Sequence, residues 1–112
     1  MNDLKRKEFT DYLDAQIVLC KNRVQELGSD GREDEAVFVK IKLNVYDIFK
    51  SVFNTLGAGD KFVAKLSAIP AAWQVSLEKA EAHGDAKKAH IEQIKLDTVK
   101  EIEAKFKEIL EA

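Results

Sequence analysis

The residues best suited to chemistry are the two histidines, His83 and His90, which lie on either side of the glycine at position 84. Glu81 and Asp85 are close enough in sequence to complete a metal site with them. However, neither histidine follows a glutamate by three residues, as the di-iron helical bundles require. A histidine at a helix end interacts favourably with the helix dipole, and an aspartate after a glycine turn commonly caps a helix. We therefore predict a structural role for this turn and keep four weak metal candidates: His83, His90, Glu81 and Asp85.

No catalytic constellation is recognisable in the rest of the chain. The single cysteine, Cys20, lies on an apolar helical stripe, and both histidines lie around one turn, so no Cys–His or Ser–His pair can be argued. The glycine-containing segment 57–60 lacks the Lys-Ser/Thr pair of a phosphate-binding loop. The sequence predicts neither an enzyme nor a bound cofactor.

The charge balance argues against several classes of partner. The chain has 18 Lys and Arg against 20 Asp and Glu, for a net charge of −2. A general nucleic-acid binder needs an excess of positive charge. No apolar run approaches the roughly 20 residues of a membrane span, and a lone cysteine is typical of a reducing compartment. We expect a soluble cytoplasmic protein that binds neither nucleic acid nor membrane.

Four segments have apolar residues at helical spacing, and glycines separate them. We expect Gly28 to end the first helix in the left-handed conformation and Asp30 to cap the second. Pro70 is expected to break or kink the third helix, because a proline cannot continue an undisturbed helix. The predicted fold is an all-α, up-down four-helix bundle forming a single domain over residues 1–112. The predicted helices are about 3–27, 32–56, 61–83 (broken near 69–70) and 85–111.

The second predicted helix carries more apolar surface than one helix face needs. Its main apolar stripe includes Phe38, Ile41, Ile48 and Phe49, and a second stripe lies beside it, so that apolar residues cover roughly two-thirds of the circumference. Either the other helices cover both stripes, or a second molecule covers one of them. The sequence supports these two interpretations about equally. The residues predicted for a subunit contact are Val39, Leu43, Tyr46 and Phe53, with the single tryptophan, Trp73.

Two functions remain open at this level. The first is a protein–protein interaction or structural module that self-associates through the second helix as a two-fold homodimer. The alternative is a small-ligand or metal-binding bundle that uses the His83/His90 region.

Overall fold

The computed structural model describes every residue from Met1 to Ala112 and contains four α-helices and no β-strand. The helices are α1 (Asp3–Ser29), α2 (Glu33–Leu56), α3 (Asp60–Ala82) and α4 (Ala86–Glu111). Nζ of Lys5, near the start of α1, lies 3.2 Å from the carbonyl oxygen of Leu110 and 2.5 Å from that of Ala112. The start of α1 is therefore next to the end of α4. The all-α prediction is confirmed, and the helix packing is consistent with a bundle.

The turn between α1 and α2 differs from the predicted one. Gly28 lies inside α1, which continues to residue 29, and the left-handed residue is Gly31, with a φ angle of 73°. The backbone N–H of Arg32 donates a 2.8 Å hydrogen bond to the carbonyl oxygen of Leu27, which closes the turn. Arg32 also occupies the cap position of α2, and no side chain caps that helix, so Asp30 does not have the predicted role.

The predicted break at Pro70 is not confirmed, because α3 continues through this residue. A proline inside a helix removes one backbone hydrogen bond and costs about 3 kcal/mol. Apolar side chains are buried on both sides of it, Phe62 and Leu66 before Pro70 and Leu77 after it. Packing of both halves of α3 therefore offsets the local cost of the proline.

The core contains a cluster of phenylalanine rings to which all four helices contribute. The ring centroids of Phe9 and Phe53 are 4.8 Å apart, and those of Phe62 and Phe106 are 4.9 Å apart. Several pairs meet edge to face, the arrangement that the ring quadrupole favours. Phe9 is near the start of α1 and Phe106 near the end of α4, so the cluster lies at the end of the bundle that holds both termini.

The helices form two hairpins, α1 with α2 and α3 with α4, and the main contact between the hairpins is that of α2 with α4. The Cα envelope measures 44 × 35 × 22 Å, with a radius of gyration of 15.2 Å. A compact chain of this length has a radius of gyration of about 13 Å. The bundle is therefore flattened. The helices α2 and α4 lie between α1 and α3, and one side of α2 is exposed to solvent.

Candidate interaction surface on α2

The inward face of α2 contains two of the residues predicted for a subunit contact. Tyr46 and Phe53 are buried in the core together with Val45 and Phe49. Aromatic side chains bury more area than aliphatic ones, so the largest residues determine which side of a widely apolar helix faces inward. Tyr46 and Phe53 therefore have almost no area left for a second molecule.

The other three predicted contact residues keep some exposure but also pack within the chain. Val39 and Leu43 are half-buried against the core. Trp73 is half-buried on α3, and Nζ of Lys95 on α4 lies 5.6 Å from the centroid of its ring. The structure thus brings Val39, Leu43, Tyr46 and Phe53 together on the inner side of α2 and places Trp73 at the α3–α4 contact.

The outward face of α2 also carries apolar residues. Val37 is 42% exposed and Ile48 is 38% exposed, whereas Ile41 is half-buried and lies outside the main core cluster. The intervals of four and seven residues place these three side chains on one face of the helix. Their exposure leaves an apolar strip without a partner inside the chain.

This strip belongs to a longer regular pattern that we call the α2 seam. Its positions recur at intervals of 4, 3, 4, 3 and 4 residues, the spacing by which one helix packs along another in a coiled coil. At the helical rise it is about 27 Å long. No member carries a charge, and charged residues are typically depleted at the centre of protein interfaces. The α2 seam consists of Val37, Ile41, Asn44, Ile48, Ser51 and Thr55.

The sequence pattern predicts Ile41 and Ile48 on the main apolar stripe and makes no prediction for Val37 or Asn44. The repeat from position 37 to position 55 contains no charge, but neither does the adjacent stripe that includes Phe38, Val45 and Val52, so the absence of charge does not single out the α2 seam in the sequence. Hydrophobicity alone cannot decide which edge of a wide apolar arc faces the core.

Two charged residues, Lys40 and Asp47, lie along one border of the α2 seam. Neither forms an ion pair within the chain. The other lysines of α2 do form such pairs: Nζ of Lys42 lies 3.4 Å from Oε2 of Glu101, and Nζ of Lys50 lies 2.6 Å from a carboxylate of α1. The two border charges are therefore available to a partner.

A polar network fixes α2 against α4 on the inner side. The hydroxyl of Tyr46 donates a 2.9 Å hydrogen bond to Oε2 of Glu101, and the ring of Tyr12 lies edge to face with that of Tyr46. Burial, reinforced by the hydrogen bond to Glu101, raises the pKa of the Tyr46 hydroxyl far above its usual value. Tyr46 thus remains protonated and acts as a structural donor.

The predicted metal candidates are not gathered into a site. Asp85 caps α4, accepting a 3.1 Å hydrogen bond from the backbone N–H of the third residue of that helix. The ring of His90 lies 4.6 Å from that of Phe38, edge to face. His83 follows the end of α3, where it and Glu81 are exposed. No group of three or more His, Cys, Asp or Glu residues is close enough to hold a metal ion.

One surface depression is too polar to resemble a small-molecule site. This depression, of about 610 Å³ near the end of α1, is lined by five polar residues and no apolar one. Ligand sites are usually lined mostly by apolar and aromatic side chains. The geometry therefore gives no support to ligand binding at this position, which includes none of the residues of the predicted His83/His90 site.

None of the four helices combines the length and apolar character needed to cross a membrane. The sequence matches no protein-family description, and neither curated proteins nor solved structures show significant similarity to it.

Proposed function

We propose that this chain is a protein–protein interaction or structural module that self-associates through α2. The α2 seam is the observation that carries the proposal, because it presents Val37 and Ile48 to solvent in a charge-free strip with coiled-coil spacing. A second copy of the chain would remove these residues from water. The contact surface consists of the outward side of α2. Tyr46 and Phe53, buried on the inward side, hold the helix in this orientation.

The total surface area supports an additional contact. The chain exposes 6840 Å² of accessible surface. A folded monomer of 12.6 kDa is expected to expose about 6200 Å². The flattened bundle therefore exposes roughly a tenth more surface than a compact monomer of the same mass. Pairing along α2 would reduce this excess.

We further propose that the module is non-catalytic and cytoplasmic. Its only thiol, that of Cys20, is buried and free, which suits a reducing compartment and offers no accessible nucleophile. We do not propose a metal- or ligand-binding role for the His83/His90 region, because His90 packs on Phe38 and Asp85 caps α4.

A dilution series followed by nuclear magnetic resonance tests the proposed function. Between roughly 1 mM and 20 μM, a range that spans weak to moderate dissociation constants, backbone amide signals of the α2 seam should shift. Signals around Val18, an exposed apolar residue of α1, should stay constant and serve as the internal control. Spectra that do not depend on concentration, or shifts confined to another surface, would contradict self-association through α2.

A further inference from the structure

We infer that two copies of the chain pair through α2 in antiparallel orientation about a two-fold axis, with Lys40 of each copy facing Asp47 of the other. This inference rests on the proposed function, since it uses the α2 seam as the contact surface. It adds the orientation of the two helices, their register and the charged residues that determine both.

The positions of Lys40 and Asp47 on α2 determine how the two α2 helices are oriented relative to each other. Lys40 and Asp47 each precede an isoleucine of the seam, Ile41 and Ile48, and therefore occupy the same border of α2, one heptad apart. A two-fold axis perpendicular to two antiparallel helices brings this same border of both helices together. The positive residue of each copy then lies beside the negative residue of the other, and two equivalent ion pairs form.

The same register aligns the apolar layers. When Lys40 faces Asp47 of the second copy, Val37 packs against Ile48 and Ile41 packs against Asn44, each contact occurring twice by symmetry. Asn44 then lies near the two-fold axis. A polar residue at one seam position commonly specifies register in paired helices at some cost in stability.

A parallel pairing leaves the border charges without partners. In that orientation the border with Lys40 and Asp47 faces the opposite border of the second helix, where Val45 and Val52 lie. Val45 is buried in the core of its own chain and Val52 is half-buried, and neither carries a charge. The charge pattern therefore favours the antiparallel arrangement.

Charge complementarity continues at both ends of the antiparallel pair. Each α2 begins with acidic residues that include Asp34, and the antiparallel register brings Asp34 next to Ser51 of the other copy. Ser51 lines a surface depression of about 290 Å³ between α2 and α3, together with Thr55 and Lys65. Lys65 forms no ion pair within the chain, so its ammonium group is available to the incoming carboxylate.

A charge exchange tests this geometry. In the Lys40→Glu homodimer, two glutamates face two aspartates, and in the Asp47→Lys homodimer, two lysines face two lysines. Each variant should dimerise about tenfold more weakly than the wild type, since two weak attractions become repulsions. Mixing the two variants should restore wild-type affinity, because every border pair of the heterodimer again joins opposite charges.

Sedimentation velocity and calorimetric titration of one variant into the other measure these affinities, with circular dichroism as the check of folding. Lys100→Glu is the matched control, since Lys100 is an exposed residue of α4 without an ion pair in the chain, and it should dimerise like the wild type. If Ile48→Lys abolishes the dimer but the mixture gains no affinity over the single variants, the antiparallel register is wrong and the proposed function stands. If Ile48→Lys also leaves association unchanged, the antiparallel register and the proposed function are both wrong.

Discussion

The hydroxyl of Tyr46 donates a 2.9 Å hydrogen bond to Oε2 of Glu101, which joins the α1–α2 hairpin to α4. Tyr46 is fully buried, whereas Glu101 is about half-exposed. Ile48 follows Tyr46 by two residues, which places it about 160° away around the helix. Burying Tyr46 therefore turns Ile48 outward, and the same rotation of α2 that builds the core also exposes the α2 seam.

Removing the Tyr46 hydroxyl should lower the stability of the fold only slightly and should leave the rotation of α2 about its own axis unchanged. Tyr46→Phe keeps the buried ring and loses one hydrogen bond, so the free energy of unfolding should fall by about 1 kcal/mol. Glu101 can turn to water, because it is half-exposed. Urea denaturation measures the change. A loss above about 3 kcal/mol would show that the ring itself had moved, since such losses accompany cavities in the core.

Stability should fall at alkaline pH. Burial raises the pKa of Tyr46, of Tyr12 and of the Cys20 thiol. Above their ordinary pKa values, the unfolded chain loses these protons while the folded chain retains them, so the free energy of unfolding decreases as pH rises. The decrease should begin near pH 9, with each fully shifted group contributing up to about 1.4 kcal/mol per pH unit.

Tyr46→Phe should reduce the slope of this alkaline decrease, because one shifted group is removed. Urea denaturation at several pH values, with tyrosinate absorbance as the ionisation probe, measures the slope. An identical slope in the wild type and the variant would contradict the assignment of the decrease to Tyr46.

Replacing Glu92 should stabilise the fold. Glu92 is only 5% exposed; its Oε1 accepts a 3.2 Å hydrogen bond from Nζ of Lys95, and its Oε2 is buried without a partner. A buried polar atom without a partner costs about 1–3 kcal/mol. Glu92→Met removes that atom at similar volume, so the melting temperature should rise and the free energy of unfolding should increase by about 1 kcal/mol.

Glu108→Met is the matched control for this variant, because the Glu108 side chain is mostly exposed on the same helix. Its effect should stay within about 0.5 kcal/mol. A loss of stability in Glu92→Met would show that the carboxylate, with Lys95 above the Trp73 ring, holds α3 and α4 together.

Pro70→Ala should also stabilise the fold. An alanine restores the missing N–H inside a continuous α3 and has the highest helix propensity, although the unfolded chain gains some freedom. We expect a net gain of about 1–2 kcal/mol, measured by thermal denaturation. A loss of stability would indicate that α3 needs the proline geometry, and so would favour a kink at this position.

Amphipathic spacing and glycine turns are local properties, which is why four helices could be predicted from residue types alone. Whether α3 continues through Pro70 depends on how Phe62 and Leu77, about two turns away on either side, are buried against other helices. The turn at Gly31 depends on a backbone hydrogen bond that residue types do not specify.

The contact residues predicted on α2 lie on its inner side, whereas the α2 seam lies on its outer side. Val39, Leu43, Tyr46 and Phe53 do form one stripe, as the helical period requires, and the neighbouring helices cover much of it. Which side of a widely apolar helix faces the core is determined by tertiary packing. It depends on Tyr12 of α1 and Glu101 of α4, which meet Tyr46, and on Phe62 of α3, which meets Phe53. The period of the apolar residues within α2 does not contain that information.

The central claim, that the outward side of α2 joins two copies of this chain, is tested most directly by molar mass in sedimentation equilibrium. The wild type should rise from 12.6 kDa towards twice that mass as concentration increases. Ile48→Lys should remain monomeric, and Val18→Lys, at an exposed apolar position of α1, should behave like the wild type. A wild type that stays at 12.6 kDa up to roughly 1 mM, or an Ile48→Lys variant that associates equally well, would contradict the claim.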